Sequence, residues 1–296
     1  LKKYIVPLIL FLLTVLSTLF AGALQKGLNP LKDISNLLAG LPFSASLMAI
    51  LLAHEFSHFF SSKANKVEAT LPHFIPVPSI IGTFGAFIKM KSPIVTRKAL
   101  IDIGASGPLA GFLVALGVSI YGLSLSEIVT LKGTAHGLIL GDSLIFSFLS
   151  KIIIGHVPAG KDVLLHPVAF AGWIGMFVTA LNLLPIGQLD GGHIAYALLG
   201  PRIHKIVSSL LASILAITGG IKVLLYMDAL QGPIFDYLRN NLWEGWAIWA
   251  FLLFLLGLDH PPVLIWEPLH TSRKTIGWIA LLIFVLTFTP VPFRVS

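Results

Sequence analysis

The chain has 296 residues, 56% of them hydrophobic and only 11% charged, with a mean hydropathy of +0.90. This composition excludes an ordinary soluble domain and predicts an all-α polytopic membrane protein with about six to seven transmembrane helices and a short membrane-associated β-strand or hairpin. The net charge of +7 is not a nucleic-acid footprint, because the basic residues are scattered beside apolar spans, and the absence of cysteine removes any disulfide framework or thiolate metal site.

The first apolar span covers residues 4–22, and no convincing small-residue cleavage site follows it, so it is read as retained. A polar connection with Lys26, Asn29, Pro30 and Lys32 leads to the second span, about 37–62, which carries His54, Glu55 and His58 near its far end. A charged side chain at mid-membrane costs about 2.5–3.5 kcal/mol even on a lenient insertion scale, so ionisable groups clustered in a span point to function. In the pattern H-E-x-x-H on a helix, the two histidines lie four apart on one face and can grip one metal ion. The glutamate can then reach a metal-bound water, which is the zinc-hydrolase arrangement of two ligands and a general base. The competing reading is a chance match to a short pattern in a structural helix.

Residues 64–98 leave the helical pattern, because Pro72, Pro76 and Pro78 exclude a regular helix. The following IIGTFGAFIKM reads either as a short strand or hairpin dipping towards the membrane or as a surface loop. The third span, about 98–122, carries Gly104, Gly107 and Gly111, which let a neighbouring helix approach closely. Asp102 near its start is a boundary residue or helix-terminal partner, with a place facing the site as the alternative. Residues 123–165 mix polar and apolar pieces, and 138–154 is too short for a full span and suits the membrane surface. A fourth span begins near His166 and ends in PIGQLDGGHIAYALLG, and further spans are expected at about 203–227, 243–258 and 275–290. Lys66, Lys89, Lys91, Arg97 and Lys98 crowd the 64–98 loop and Lys63 stands just before it, so with the amino terminus inside, the histidine motif falls near the cytoplasmic face.

Two histidines leave a catalytic zinc one protein ligand short. In NLLPIGQLDGGHI, Pro185, Gly187, Gly191 and Gly192 interrupt the helix, and irregular backbone at membrane depth persists only where it is buried in protein or lines a water-filled cavity. Asp190 lies in that break with no adjacent basic residue, and a zinc ion would supply the cation a carboxylate needs there. The alternatives are an Asp190 that caps the restarting helix, or His193 as the ligand instead.

HEFSH in one span and LNLLPIGQLDGGHI in a later one resemble the site-2 protease family of intramembrane zinc metalloproteases. GPLAG at 107–111 and GTFGAFI are similar to the family's third span and membrane-associated strand. The resemblance covers roughly residues 37–200 and implies one Zn2+ held by His54, His58 and Asp190, with Glu55 as the catalytic glutamate. It also matches Asn182 to an asparagine that helps bind substrate or the oxyanion, against the plainer role of a helix–helix hydrogen bond. The implied organisation is a first span and connection at 1–36, a three-helix catalytic core with a cytoplasmic loop at 37–200, and additional spans at 201–296. The implied activity is regulated intramembrane proteolysis of transmembrane proteins or peptides in the cytoplasmic membrane. The 123–165 connection is too short for the inserted PDZ domain of many relatives. A metal-binding secondary transporter or a non-catalytic scaffold is the competing class, and a transporter predicts paired helix breaks in two pseudo-symmetric halves where one well-marked break is found.

Overall fold

Long apolar runs form the long helices, and none of these helices contains a cluster of prolines. The computed structural model describes residues 2–130, 138–227 and 231–295, so residues 131–137 of the 123–165 connection lie outside it. In chain order the helices are α1 (Lys2–Gln25), a 3-10 turn (Ile34–Gly40), α2 (Leu41–Ala64), α3 (Arg97–Ser124), α4 (Leu144–Ile153), α5 (Pro167–Asn182), α6 (Asp190–Leu199), α7 (Pro201–Tyr226), α8 (Pro233–Asn241), α9 (Gly245–Leu256) and α10 (Thr271–Thr287). The strands are β1 (His73–Pro76), β2 (Thr83–Phe87), β3 (Glu127–Thr130), β4 (Leu138–Leu140), β5 (Lys161–Leu164) and β6 (Phe293–Val295). They form three separate antiparallel pairs, β1–β2, β3–β5 and β4–β6.

Among the described residues, four helical stretches are long and apolar enough to cross a bilayer: Tyr4–Gln25, Ile34–Ala64, Arg97–Ser124 and Pro201–Tyr226. The expected fourth, sixth and seventh spans are the shorter helices α5, α9 and α10, of 16, 12 and 17 residues. The protein is therefore mostly helical with four candidate spans, and its strands are few and short. The segment expected to lie on the membrane contains α4, whose Phe146 and Leu149 are buried while Leu144, Phe148 and Ile152 are exposed.

The chain divides into two compact units. The first comprises Leu1–Ile94, Ser106–Leu131 and Ile145–Thr179. Its core gathers Phe43, Leu47 and Ile50 of α2, Ala115 and Leu123 of α3, and Trp173, Ile174 and Met176 of α5. Small and hydroxylated residues close the helix contacts, as membrane helices without a hydrophobic drive require. Thr18 of α1 bonds Ser44 of α2 at 2.7 Å, and a Cβ on Gly22 would stand 2.8 Å from the Gly40 carbonyl. The β1–β2 hairpin realises the strand reading of 64–98, pairing His73 with Phe87 and Phe74 with Ala86. Its turn docks on α1, where Ser17 donates to the Gly82 carbonyl at 2.6 Å and Gly82 itself has φ +83°.

The second unit comprises Val95–Ala105, Lys132–Leu144 and Ala180–Ser296. Its core contains Leu100, Ile101 and Ile103 of α3, Leu183, Leu184 and Ile186 of the helix break, and Ile194, Ala195 and Ala197 of α6. Asp102 is a helix partner: Arg273 of α10 grips both its oxygens, at 2.8 and 2.9 Å. Leu8, Leu12 and Leu16 on α1 and Phe251 and Leu255 on α9 stay exposed, as lipid-facing side chains do.

Candidate metal centre

Helix α2 carries the histidine motif at its buried face. His54, Glu55 and His58 are each only 5% exposed although all three are ionisable. The four-residue spacing brings the imidazoles together: their Nε2 atoms lie 3.1 Å apart and their rings 4.8 Å apart at 72°. Two imidazoles on one tetrahedral zinc, with bonds near 2.0–2.1 Å, place their nitrogens about 3.3 Å apart. The pair thus fits two positions of a zinc coordination sphere.

Space for these rings comes from glycines on α3. A Cβ on Gly107 would lie 2.6 Å from Cε1 of His58 and closer still to Nε2 and Cδ2. At Gly111 the added carbon would stand 3.1 Å from Nδ1 of His54. The sequence marks both glycines as places of close helix approach. That the approaching surface is the histidine pair itself emerges only in three dimensions.

In the second unit the PIGQLDGG stretch folds as a tight backbone knot. The break runs from the end of α5 at Asn182 to Asp190, the first residue of α6. Gly187 takes φ +54°, and a Cβ on Gly191 or Gly192 would run into the carbonyls of Leu183 or Gly187. Asp190 is not the cap of α6: that position is Leu189, with extended backbone and no side-chain cap bond. Asp190 sits instead in the first turn, where the positive end of the helix dipole suits a carboxylate. His193 follows one turn later, and Gly104 of α3 backs both residues: a Cβ there would be 2.9 Å from the His193 Cβ and 3.2 Å from the Asp190 carbonyl.

Residues 42–226 match peptidase family M50, the site-2 protease family. The chain belongs to that family. The M50 match contains His54, Glu55, His58, Asn182 and Asp190. The M50 chain is similar to the probable zinc metalloprotease EGY1, chloroplastic, of Arabidopsis thaliana, at 30% identity over 98% of this chain and 53% of that protein. It is also similar to EGY1 of Oryza sativa subsp. japonica, at 34% identity over 64% of this chain and 37% of that protein. Probable zinc metalloprotease EGY2, chloroplastic, of Arabidopsis thaliana is 27% identical over 96% of this chain and 48% of its own length. The chain spans about half the length of the curated relatives it matches, or less. No solved structure matches it.

Proposed function

We propose that this M50 chain is an intramembrane zinc metallopeptidase that hydrolyses peptide bonds in or near transmembrane segments of membrane proteins. The observation that carries the reading is the buried His54–His58 pair, converged to 3.1 Å with Glu55 beside it inside an M50 match. In this reading His54, His58 and Asp190, each with a side-chain atom of a kind zinc takes, are the three ligands of one ion. When bound, zinc supplies a water of lowered pKa and polarises the scissile carbonyl. Glu55 would serve as the proton carrier, taking a proton from the attacking water and passing it to the leaving amine. Asn182, at the end of α5, holds the substrate backbone or the developing oxyanion. A helical substrate hides its carbonyls in its own hydrogen bonds, so it unwinds before attack, and the β2 edge holds it in extended form.

The same reading counts α5, α9 and α10 as short spans beside the four long ones, giving about six to seven crossings. It assigns 1–36 to a first span and connection, 37–200 to the catalytic core and 201–296 to additional spans. Lys63, Lys66, Lys89 and Lys91 support a cytoplasmic loop, with the active site nearer that face of a cytoplasmic membrane. Glu55→Gln tests the mechanism: the variant keeps stoichiometric zinc by elemental analysis and loses cleavage of a transmembrane substrate. Hydrolysis persisting in that variant removes Glu55 from the mechanism.

A further inference from the structure

Helix α2 belongs to the first unit and closes the apolar stretch Ile34–Ala64, which is long enough to cross a bilayer. Beyond it the Asn65 amide donates to the Ser61 carbonyl at 3.0 Å and the Val67 amide to the Ser62 carbonyl at 2.9 Å, so the chain wraps over the helix end. Lys66 makes that wrap with φ +59°, a left-handed backbone that glycine takes freely and lysine takes at a cost. Among the described residues it is the one non-glycine with positive φ. The next residues pair with a later segment. The Lys91 amide donates to the Glu68 carbonyl at 2.7 Å, the Glu68 amide donates to the Ser92 hydroxyl at 2.9 Å, and Ala69 forms a β-bridge with Met90.

These bonds bring lysines from two segments to one place. Lys63, Lys66 and Lys91 line a pocket of about 360 Å³ together with Phe59, Val67 and Glu68. Val67 is buried, and the lysines and Glu68 are exposed. The three cations outnumber the one carboxylate, and no ion pair among the described residues occupies any of them. The helix dipole accounts for Lys63 in the last turn of α2, but it calls neither for Lys91, from another segment, nor for lysine rather than glycine at position 66. An aromatic lane leads up to the pocket. Phe59 meets Phe60 edge-on at 5.6 Å, and Phe60, 61% exposed, stacks on Phe56 at 6.0 Å one turn deeper. Positions 56, 60 and 63 share one face of the helix.

We propose that this pocket binds the phosphate of an anionic phospholipid, with Lys63, Lys66 and Lys91 around the head group and an acyl chain laid along Phe56 and Phe60. Ammonium groups are compact point charges that take phosphate oxygens without a fixed fork geometry, and each one near a membrane surface adds to the attraction for anionic lipid. Shape separates this site from scattered basic charge. The backbone bonds of residues 65–69 and 90–92 set the segments that carry the lysines around one cavity before a lipid arrives, which lowers the cost of ordering them on binding. A free phosphate ion would meet the same lysines but gain nothing from the aromatic lane. The lipid is held whether or not His54 and His58 bind a metal.

Calorimetric titration of the full chain in detergent micelles with dioctanoyl phosphatidylglycerol tests the site, with dioctanoyl phosphatidylcholine and inorganic phosphate as comparison ligands. The expected result is saturable binding of phosphatidylglycerol, at least about 10-fold tighter than either comparison ligand. Lys66→Gln and Lys91→Gln should each weaken it about 5-fold, whereas Lys89→Gln, on the same loop but outside the pocket, leaves it unchanged. Glu68→Gln removes the opposing carboxylate and should tighten it. Phe60→Ala should weaken phosphatidylglycerol and leave inorganic phosphate as it was. Lys66→Gly guards against a folding artefact: it relieves the left-handed backbone, so the chain should melt no lower than wild type while binding falls as in Lys66→Gln. Wild-type affinity in Lys66→Gly overturns the proposal, as does the absence of saturable phosphatidylglycerol binding. Equal weakening by Lys89→Gln reduces the effect to diffuse charge and overturns it too. Inorganic phosphate bound as tightly as the lipid makes this a soluble-phosphate site and overturns the lipid assignment.

Discussion

Gly107→Ala is the smallest change that reaches the histidine pair. The added carbon would overlap the His58 ring, lying 2.6 Å even from Cε1, where ordinary contact begins at 3.4 Å. Relief requires the imidazole to swing by about 1 Å, several times the ~0.2 Å tolerance of a metal–ligand bond. Disturbing only the groups that support a ligand typically costs 10–100-fold in affinity, so displacing the ligand itself should weaken zinc at least about 100-fold. Helix propensity works the other way, since Ala is favoured over Gly by about 1 kcal/mol in a helix interior. Gly107→Ala should therefore lose zinc in a chelator competition while keeping its circular dichroism and its melting temperature without metal. Gly111→Ala, whose carbon would stand 3.1 Å from His54 Nδ1, needs a shift of only a few tenths of an ångström and should lose about 10-fold or less. Wild-type zinc affinity in Gly107→Ala would show that the ring is not held where the glycine leaves room, and the ligand argument would fall with it.

Three other outcomes can be measured. Ser208→Ala leaves the Gly187 amide and the Leu258 carbonyl without their shared hydroxyl, and detergent unfolding titrations should show a loss of about 1–3 kcal/mol. Asp102→Asn should cost about 1 kcal/mol in the same titration, and Arg273→Lys should not substitute for the native pair, because an ammonium cannot match the two-pronged guanidinium contact. His260 has a folded pKa of about 4, below its usual 6.5, so the unfolded chain binds its proton first. Its contribution to stability is present above pH 6.5 and is lost as pH falls towards 4, with His193, Tyr196 and His204 facing the ring and the Asp259–Lys205 pair beside it. Stability measured across that window should decline less in His260→Phe than in the wild type.

The histidine pair was legible because both residues sit on one helix, where a spacing of four converts directly into proximity. The break before Asp190 was legible for a related reason, since Pro185 and the three glycines act on their own backbone. Helix lengths were less so: hydropathy sees the apolar run 243–258 but not the turn through Trp243 and Glu244 that delays α9 to Gly245. The segment between α9 and α10, residues 257–270, was invisible. GLDHPPVLIWEPLH has no periodicity, and its fastenings join residues 258, 260, 265 and 267 to positions about 50 to 170 apart in the chain, several through main-chain atoms that any residue carries. His193, His204 and His260 share no spacing that would announce them as a group, so only folding brings their rings together.

The segment 257–270 also sets how this part of the molecule comes apart. The Arg97, Lys98 and Ile265 amides are held between this segment and the start of α3, and the Gly187 amide is held by Ser208, whose hydroxyl also binds Leu258. Hydrogen exchange should find them opening as a single cooperative block with a shared free energy, distinct from the fraying of the lipid-facing helices. On the role proposed for Asp190, a distant substitution that loosens the block would change how often that residue is correctly presented rather than where it sits, and activity would fall through occupancy of the competent state with its shape intact.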